Sequence, residues 1–281
     1  MKTTDTSKYK KEIAGFRIID DFFMNIVFHE RPLETSELLK IILGKDDITV
    51  TSSISQSLVN NTYGHSARFD IKAVDDKGKI YDIEIQRANK GASEKRARYY
   101  SSMIDFSALE KGKEDFNELP ETYVIMICEH DYFKMGKPIY IIDRYIGNCL
   151  FLPFNDQQHI IYVNGAYRNT DDPIGRLIHD LFQTDYRQII NKVLAKRVKY
   201  LKEEKEDLTS MCEAIERLMN EAEAKGFAIG SEKTRKQDHE ETAKSAVELV
   251  RSLSPSADNE EIVNYIMNYF NIEKGYIEKY L

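Results

Sequence analysis

The 281-residue chain has no tryptophan, only six prolines and three cysteines, no long apolar run, and no surplus of positive charge. Each lack excludes something. A membrane-crossing helix needs roughly 20 consecutive apolar residues, and no stretch approaches that. The polar segment 1–11 lacks the apolar centre of a secretory signal. Cys128, Cys149 and Cys212 are odd in number and far apart, which fits neither a disulfide framework nor a zinc set. A cytoplasmic chain without a membrane partner is expected. The six histidines are scattered with no His-x-x-x-His pair, no glycine-rich phosphate loop is present, and no repeat of 20–50 residues recurs. With 47 acidic against 40 basic side chains, the net charge of -7 excludes a uniformly basic nucleic-acid coat protein. A local basic groove stays open, because steering depends on where charge sits.

What is present suits a globular chain: 42% apolar residues, 17 Tyr and 13 Phe, enough to bury a core without staples. The prolines punctuate it at 32, 120, 138, 153, 173 and 255. Steps of three and four among Ile13, Phe16, Ile19, Phe22, Phe23, Ile26 and Val27 predict an amphipathic helix over 12–30, whole or broken. A second helix is expected over 36–43, with Ser36 as N-cap and Gly44 as the stop. Segments 122–128, 138–143, 149–154 and 159–165 read as strands. A helix is expected over 93–110, with Glu94 and Arg98 as an i,i+4 pair. From Pro173 the chain reads as helical, with a long mixed-charge stretch over 186–225 and a small helical element over 241–270. The expected division is 1–185, a linking helical segment 186–240, and a terminal element 241–281. The element order predicts an α/β or α+β core with a helical appendage.

Chemistry concentrates in residues 67–87, ARFDIKAVDDKGKIYDIEIQR. Period-two alternation around 75–79 reads as a β-hairpin. Phe69, Ile71 and Ala73 share one face of the first strand, and Tyr81, Ile83 and Ile85 one face of the second. The opposite faces carry Asp70 and Lys72, then Asp82, Glu84 and Gln86. A five-residue loop pairs Val74 with Ile80 and sets Asp70 opposite Glu84; a two-residue slip sets Gln86 there instead. Two readings stand side by side. One is a solvated polar face, ordinary for a half-exposed hairpin. The other is a divalent cation between Asp70 and Glu84, offsetting their repulsion, with the Ile85 carbonyl as a further oxygen ligand. Arg87, Lys90, Lys95, Arg96 and Arg98 follow, against Glu94 alone, a local net of +4, with Tyr99 and Tyr100 beside them. Basic side chains next to an acidic pair suit a phosphodiester substrate.

Asp70, then Glu84-Ile85-Gln86, then Arg96-Ala97-Arg98-Tyr99-Tyr100, together resemble the PD-(D/E)XK nuclease superfamily. More closely they resemble its recombination-promoting nuclease/transposase family. The resemblance spans roughly residues 14–225. It implies a restriction-endonuclease-like αβββαβ core, a mixed sheet flanked by helices, with a first strand near 46–52. It implies that Asp70 and Glu84, with the Ile85 carbonyl, bind Mg2+ (or Mn2+). Gln86 takes the place of the superfamily lysine, as is usual in that family. Glutamine supplies neither positive charge nor a general base, so Lys72 or Arg98 are the stand-in cations, and Glu34 or Glu37 the first-helix acid. Arg87, Lys95, Arg96, Arg98 and Tyr99 would contact DNA. The implied function is a magnesium-dependent DNA endonuclease; the alternative is a catalytically weak or inactive nuclease fold that binds nucleic acid or a partner protein. Apolar positions over 186–225 do not keep a strict heptad and leave homodimer formation open. His130-Asp131 and His179-Asp180 read as surface or core histidines, and Cys128 as a buried thiol.

Overall fold

The computed structural model describes residues 10–61, 65–87, 91–109, 115–149, 152–203, 240, 243–252, 258–270 and 272–281. The chain divides into two compact units, Met1–Ser210 and Met211–Leu281.

The first unit is built on one six-stranded sheet with the order β1-β2-β3-β4-β6-β5. Its strands are β1 (Val50–Val59), β2 (Ala67–Asp75), β3 (Ile80–Gln86), β4 (Thr122–Cys128), β5 (Ile139–Ile142) and β6 (Gln158–Asn164). β1, β2 and β3 form an antiparallel meander, whereas β3, β4 and β6 run parallel and β5 closes the edge antiparallel to β6. Parallel strands lie covered on both faces, so they read as unbroken apolar runs. The buried run of β4 obeys this. β3 is equally buried but carries Asp82, Glu84 and Gln86, and this breach of the pattern marks the site.

Helices cover both faces, so the mixed sheet is flanked as the PD-(D/E)XK resemblance implies. On one face α4 (Glu94–Ala108) sets Ala97, Met103 and Ile104 against Val124, Met126 and Cys128. Beyond β1 lie α2 (Asp21–Phe28) and α3 (Pro32–Leu43). α1 (Lys10–Gly15), α5 (Pro173–Leu181) and α6 (Lys192–Glu203) complete the unit. Polar threads tie these layers: Ser53 Oγ donates to the Phe28 carbonyl at 2.7 Å, and the Val50 N–H donates to Ser36 Oγ at 2.8 Å.

Several expectations are corrected. The helix over 12–30 is broken, as its pattern allowed, into α1 and α2. α3 begins at Pro32, since proline suits the first turn, so Ser36 lies inside it and bonds back to the Pro32 carbonyl. Gly44 does end α3, in the left-handed conformation at φ 61°. The first strand runs over Val50–Val59, where the polar stretch 50–61 reads as a strand followed by a loop, and only 50–52 of the implied 46–52 belong to it. Over 149–154, residues 150–151 lie outside the described residues, Pro153 makes one isolated bridge with Tyr145, and Leu152 and Phe154 are exposed. Glu94 pairs with Tyr132 at 3.0 Å and not with Arg98. Most of the mixed-charge stretch over 186–225 lies outside the described residues.

In the second unit, residues 243–252, Asn259–Phe270 and Lys274–Ile277 are helical around Val247, Ile262, Ile266 and Ile277. No helix among the described residues is long and apolar enough to cross a membrane.

Candidate active site at the split end of the β2–β3 hairpin

The hairpin begins in the register its loop length sets, Val74 opposite Ile80 and Lys72 opposite Asp82. Asp75 organises the turn. Its carboxylate accepts the N–H groups of Lys77 at 3.0 Å and Lys79 at 2.8 Å, and the Tyr81 hydroxyl at 2.9 Å. Backbone pairing stops at Ile71–Ile83. Beyond it, the two facing carboxylates take the place of the ladder. The Asp70 N–H donates to Glu84 Oε1 at 2.9 Å, and the Ile85 N–H donates to Asp70 Oδ2 at 3.1 Å. The slipped register is thereby excluded. In an extended strand a residue's N–H and C=O point to the same side, so the Ile85 carbonyl faces this gap as well.

The rest of the shell comes from three elements. From α4, Arg96 Nη2 donates to Glu84 Oε2 at 2.9 Å and to the Tyr100 hydroxyl at 2.9 Å. Its guanidinium also lies 4.9 Å from the Tyr100 ring centroid. From β3, Gln86 Nε2 donates to Glu84 Oε2 at 3.3 Å. Gly91 lets that side chain lie where it does, because a Cβ there would stand 1.8 Å from Gln86 Oε1. From β1, Gln56 Nε2 donates to Asp70 Oδ1 at 3.4 Å. Gln56 has φ 54° although regular pairs flank it at Ser55–Ile71 and Ser57–Phe69. That conformation costs about 1–2 kcal/mol for a residue with a Cβ, and strain of this kind concentrates at functional sites.

The polar face of β3 is not the solvated face that is ordinary for such hairpins. Asp82 and Glu84 are 0% exposed. Burial, then the charge of Asp70, pushes the Glu84 pKa up to about 8 against the opposing pull of Arg96. Neither carboxylate oxygen of Asp82 has a hydrogen-bond partner. Burial, and next the charges of Glu84 and Asp70, push its pKa well above the ordinary value. Asp70 is raised too, by burial and by the charge of Asp21, with the Ile85 N–H working against both.

The other expected site residues are distributed as follows. Lys72 faces Asp82 across the hairpin, its pKa lowered by burial against the pull of Asp82; it forms no ion pair with Glu84, whose cation is Arg96. Arg98 and Lys95 are exposed. Arg87 pairs with Glu129 at 3.3 Å and Asp20 at 3.8 Å, and the Tyr99 hydroxyl donates to the His65 carbonyl. Lys90 lies outside the described residues. Glu37 pairs with Lys40 at 3.7 Å and Glu34 lines a separate groove. The helix acid that reaches Asp70 electrostatically is Asp21, at the start of α2. Asp21 and Gln56 went unread in the sequence. An acid at a helix start is usually a dipole partner, and glutamine gives no sign of a left-handed backbone.

Elsewhere, Asp180 accepts the N–H groups of Ile190 and Asn191 at 2.8 Å each and holds His179 at 3.1 Å, which is structural work. Asp131 serves a loop and Tyr140. Cys128 is buried, as expected.

Chemically, two carboxylates and one main-chain carbonyl around one gap form an all-oxygen donor set suited to a hard divalent cation. Among the described residues, no group of three or more His, Cys, Asp or Glu side chains is placed to hold a metal. A cation held there would take only a few protein oxygens and keep waters in its remaining positions.

Residues 35–254 match the family described as PD-(D/E)XK nuclease family transposase. No curated protein and no solved structure matches the chain. With a mixed, helix-flanked sheet, a hairpin split by facing carboxylates and a match over well more than half its length, the chain belongs to the PD-(D/E)XK nuclease family transposases.

Proposed function

We propose that the protein is a magnesium-dependent DNA endonuclease whose site is the gap between Asp70 and Glu84. The observation that carries this reading is the replacement of ladder hydrogen bonds by those two carboxylates at the end of a buried hairpin. Asp70, Glu84 and the Ile85 carbonyl would hold Mg2+ or Mn2+. When bound there, the cation supplies a Lewis acid to the phosphate and a nucleophilic water.

The chain's own groups do the rest. Gln86 carries no charge at neutral pH and serves by hydrogen bonding, its amide oriented by Glu84 and Gly91. Arg96 pairs with Glu84 whereas Lys72 lies opposite Asp82, so Arg96 is the cation placed to meet a phosphate at the pair. Arg96 offsets carboxylate charge in the free protein and is available to charge developing on the phosphate. Arg87, Lys95, Arg98 and Tyr99 offer backbone contacts that position DNA without reading its sequence.

The test is plasmid nicking with Mg2+ or with EDTA, comparing wild type, Asp70→Ala and Glu84→Ala. Metal-dependent nicking by wild type alone supports the proposal. Nicking by Asp70→Ala at the wild-type rate places the chemistry elsewhere. Nicking by none of the three proteins on any DNA favours a binding-only nuclease fold, the reading that the neutral Gln86 supports.

A further inference from the structure

The groove between the start of α3 and α6 measures about 730 Å3 and is lined by several cations. α6 carries Lys192, Lys196 and Lys199 at i, i+4 and i+7, which places them on one face of the helix. All three are exposed. Arg31 lines the opposite side, its Nε buried with no hydrogen-bond partner. Among the described residues no carboxylate forms an ion pair with any of these four, although Glu34 lines the same groove. Tyr200 stands 43% exposed at its edge.

Four cations with no carboxylate partner among the described residues, in a chain of net charge -7, form a local field opposite to the total, although Lys199 also lies 5.9 Å from the Tyr186 ring centroid. Fields of that kind concentrate polyanions and are the footprint of phosphate-backbone contact. The groove is also tied to the candidate site. Arg197 Nη2 donates to the Ile26 carbonyl at 3.0 Å, which pins α6 to α2. α2 begins with Asp21 near Asp70 and ends at Phe28, three residues before Arg31. Eight helical residues span about 12 Å, a distance of roughly three to four base pairs at 3.4 Å each. On the other side, the Ser55 N–H donates to His29 Nδ1 at 3.1 Å, and the next residue, Gln56, reaches Asp70.

We infer that Arg31, Lys192, Lys196 and Lys199 form a second phosphate track that holds the flanking duplex of the DNA substrate a few base pairs from the cleavage point. The inference rests on the nuclease reading for its substrate, but the groove's own affinity needs neither metal nor cleavage.

The experiment is fluorescence anisotropy of the full chain on a labelled 30-base-pair duplex, in EDTA, over a series of salt concentrations. It compares wild type, the triple variant Lys192→Gln/Lys196→Gln/Lys199→Gln, the control Lys134→Gln/Lys137→Gln, and Asp70→Ala. Each lost phosphate contact reduces the slope of log K against log salt by about 0.9. The triple variant is expected to lose about 2.7 from that slope and on the order of tenfold or more in affinity at low salt. Its melting temperature and its Mn2+ affinity should match wild type, and the lysine control should bind DNA as wild type does. Asp70→Ala, measured alongside, reports on the cleavage site alone, and the slope loss of the triple variant is expected whether or not wild type cuts DNA. An unchanged slope in the triple variant overturns the inference. So does an equal loss in the control, which would make net charge the cause. A loss confined to an A-form RNA duplex overturns it in favour of RNA.

Discussion

The candidate site should make the metal-free protein less stable as pH rises through neutrality, opposite to the usual effect of paired carboxylates. Glu84 has an ordinary pKa of 4.5, and in the folded chain burial and Asp70 raise it to about 8. Between those values the folded state holds a proton that the unfolded state has released. Stability therefore falls with pH across the window, is fully present below about 4.5, and levels off above about 8. At 1.36 kcal/mol per pH unit, the ceiling for this group alone is about 5 kcal/mol. Asp82 and Asp70 are raised and act in the same direction. Lys202, lowered by burial to about 8, begins to contribute with the opposite sign only above that pH. A loss of about 3 kcal/mol would lower the melting temperature of a unit this size by roughly 6–12 °C. The assay is urea denaturation in EDTA from pH 5 to 8, repeated with Mn2+ and with Glu84→Gln. Wild type should lose stability with pH, Glu84→Gln should lose most of that slope, and Mn2+ should stabilise wild type more at pH 8 than at pH 5.5. A flat or rising wild-type profile in EDTA, or an unchanged slope in Glu84→Gln, refutes the reasoning.

Three further outcomes follow from the same geometry. Gly91→Ala displaces only the end of the Gln86 side chain, so stability should change by less than about 1 kcal/mol while plasmid nicking slows on the order of 10–100-fold from misplacement of Gln86. Gln56→Gly removes a strained Cβ and should hold or raise stability in thermal melts, by up to about 1 kcal/mol, yet weaken Mn2+ binding measured by calorimetry; equal Mn2+ affinity would make Gln56 purely structural. Asp82→Asn removes a buried carboxyl with no hydrogen-bond partner whose pKa burial raises, and it should raise stability by about 1–2 kcal/mol, more at pH 8 than at pH 5, as denaturant curves at the two pH values would report.

The hairpin was legible because two local rules coincide in it: a five-residue turn sets register, and period-two alternation sets faces. Asp70 therefore met Glu84 on paper as it does in the fold. The burial of the polar face was not legible, because it depends on β4 pairing in parallel with β3 and on α4 closing over the sheet, contacts between residues some 40 positions apart. The same closure turns Arg96 from an apparent surface cation into the partner of Glu84. Gln56 lies in a polar strand whose sequence favours no left-handed residue, and only the ladder on either side forces it there. The acid on the first helix was sought in α3, whereas the helix acid whose charge acts on Asp70 is Asp21 in α2. Proline at 32 moved the start of α3 four residues earlier than Ser36 suggested, and the broken helix before it carries Asp21 to the site.

The central claim is a divalent cation held by Asp70, Glu84 and the Ile85 carbonyl. Its most direct test is anomalous diffraction from crystals of the full chain soaked in Mn2+. The account predicts one anomalous peak in the hairpin gap, about 2.0–2.2 Å from an oxygen of each of the three residues, as hard-cation coordination requires. A peak elsewhere, or none at saturating Mn2+ with Asp70 still bonded to the Ile85 N–H, would contradict it.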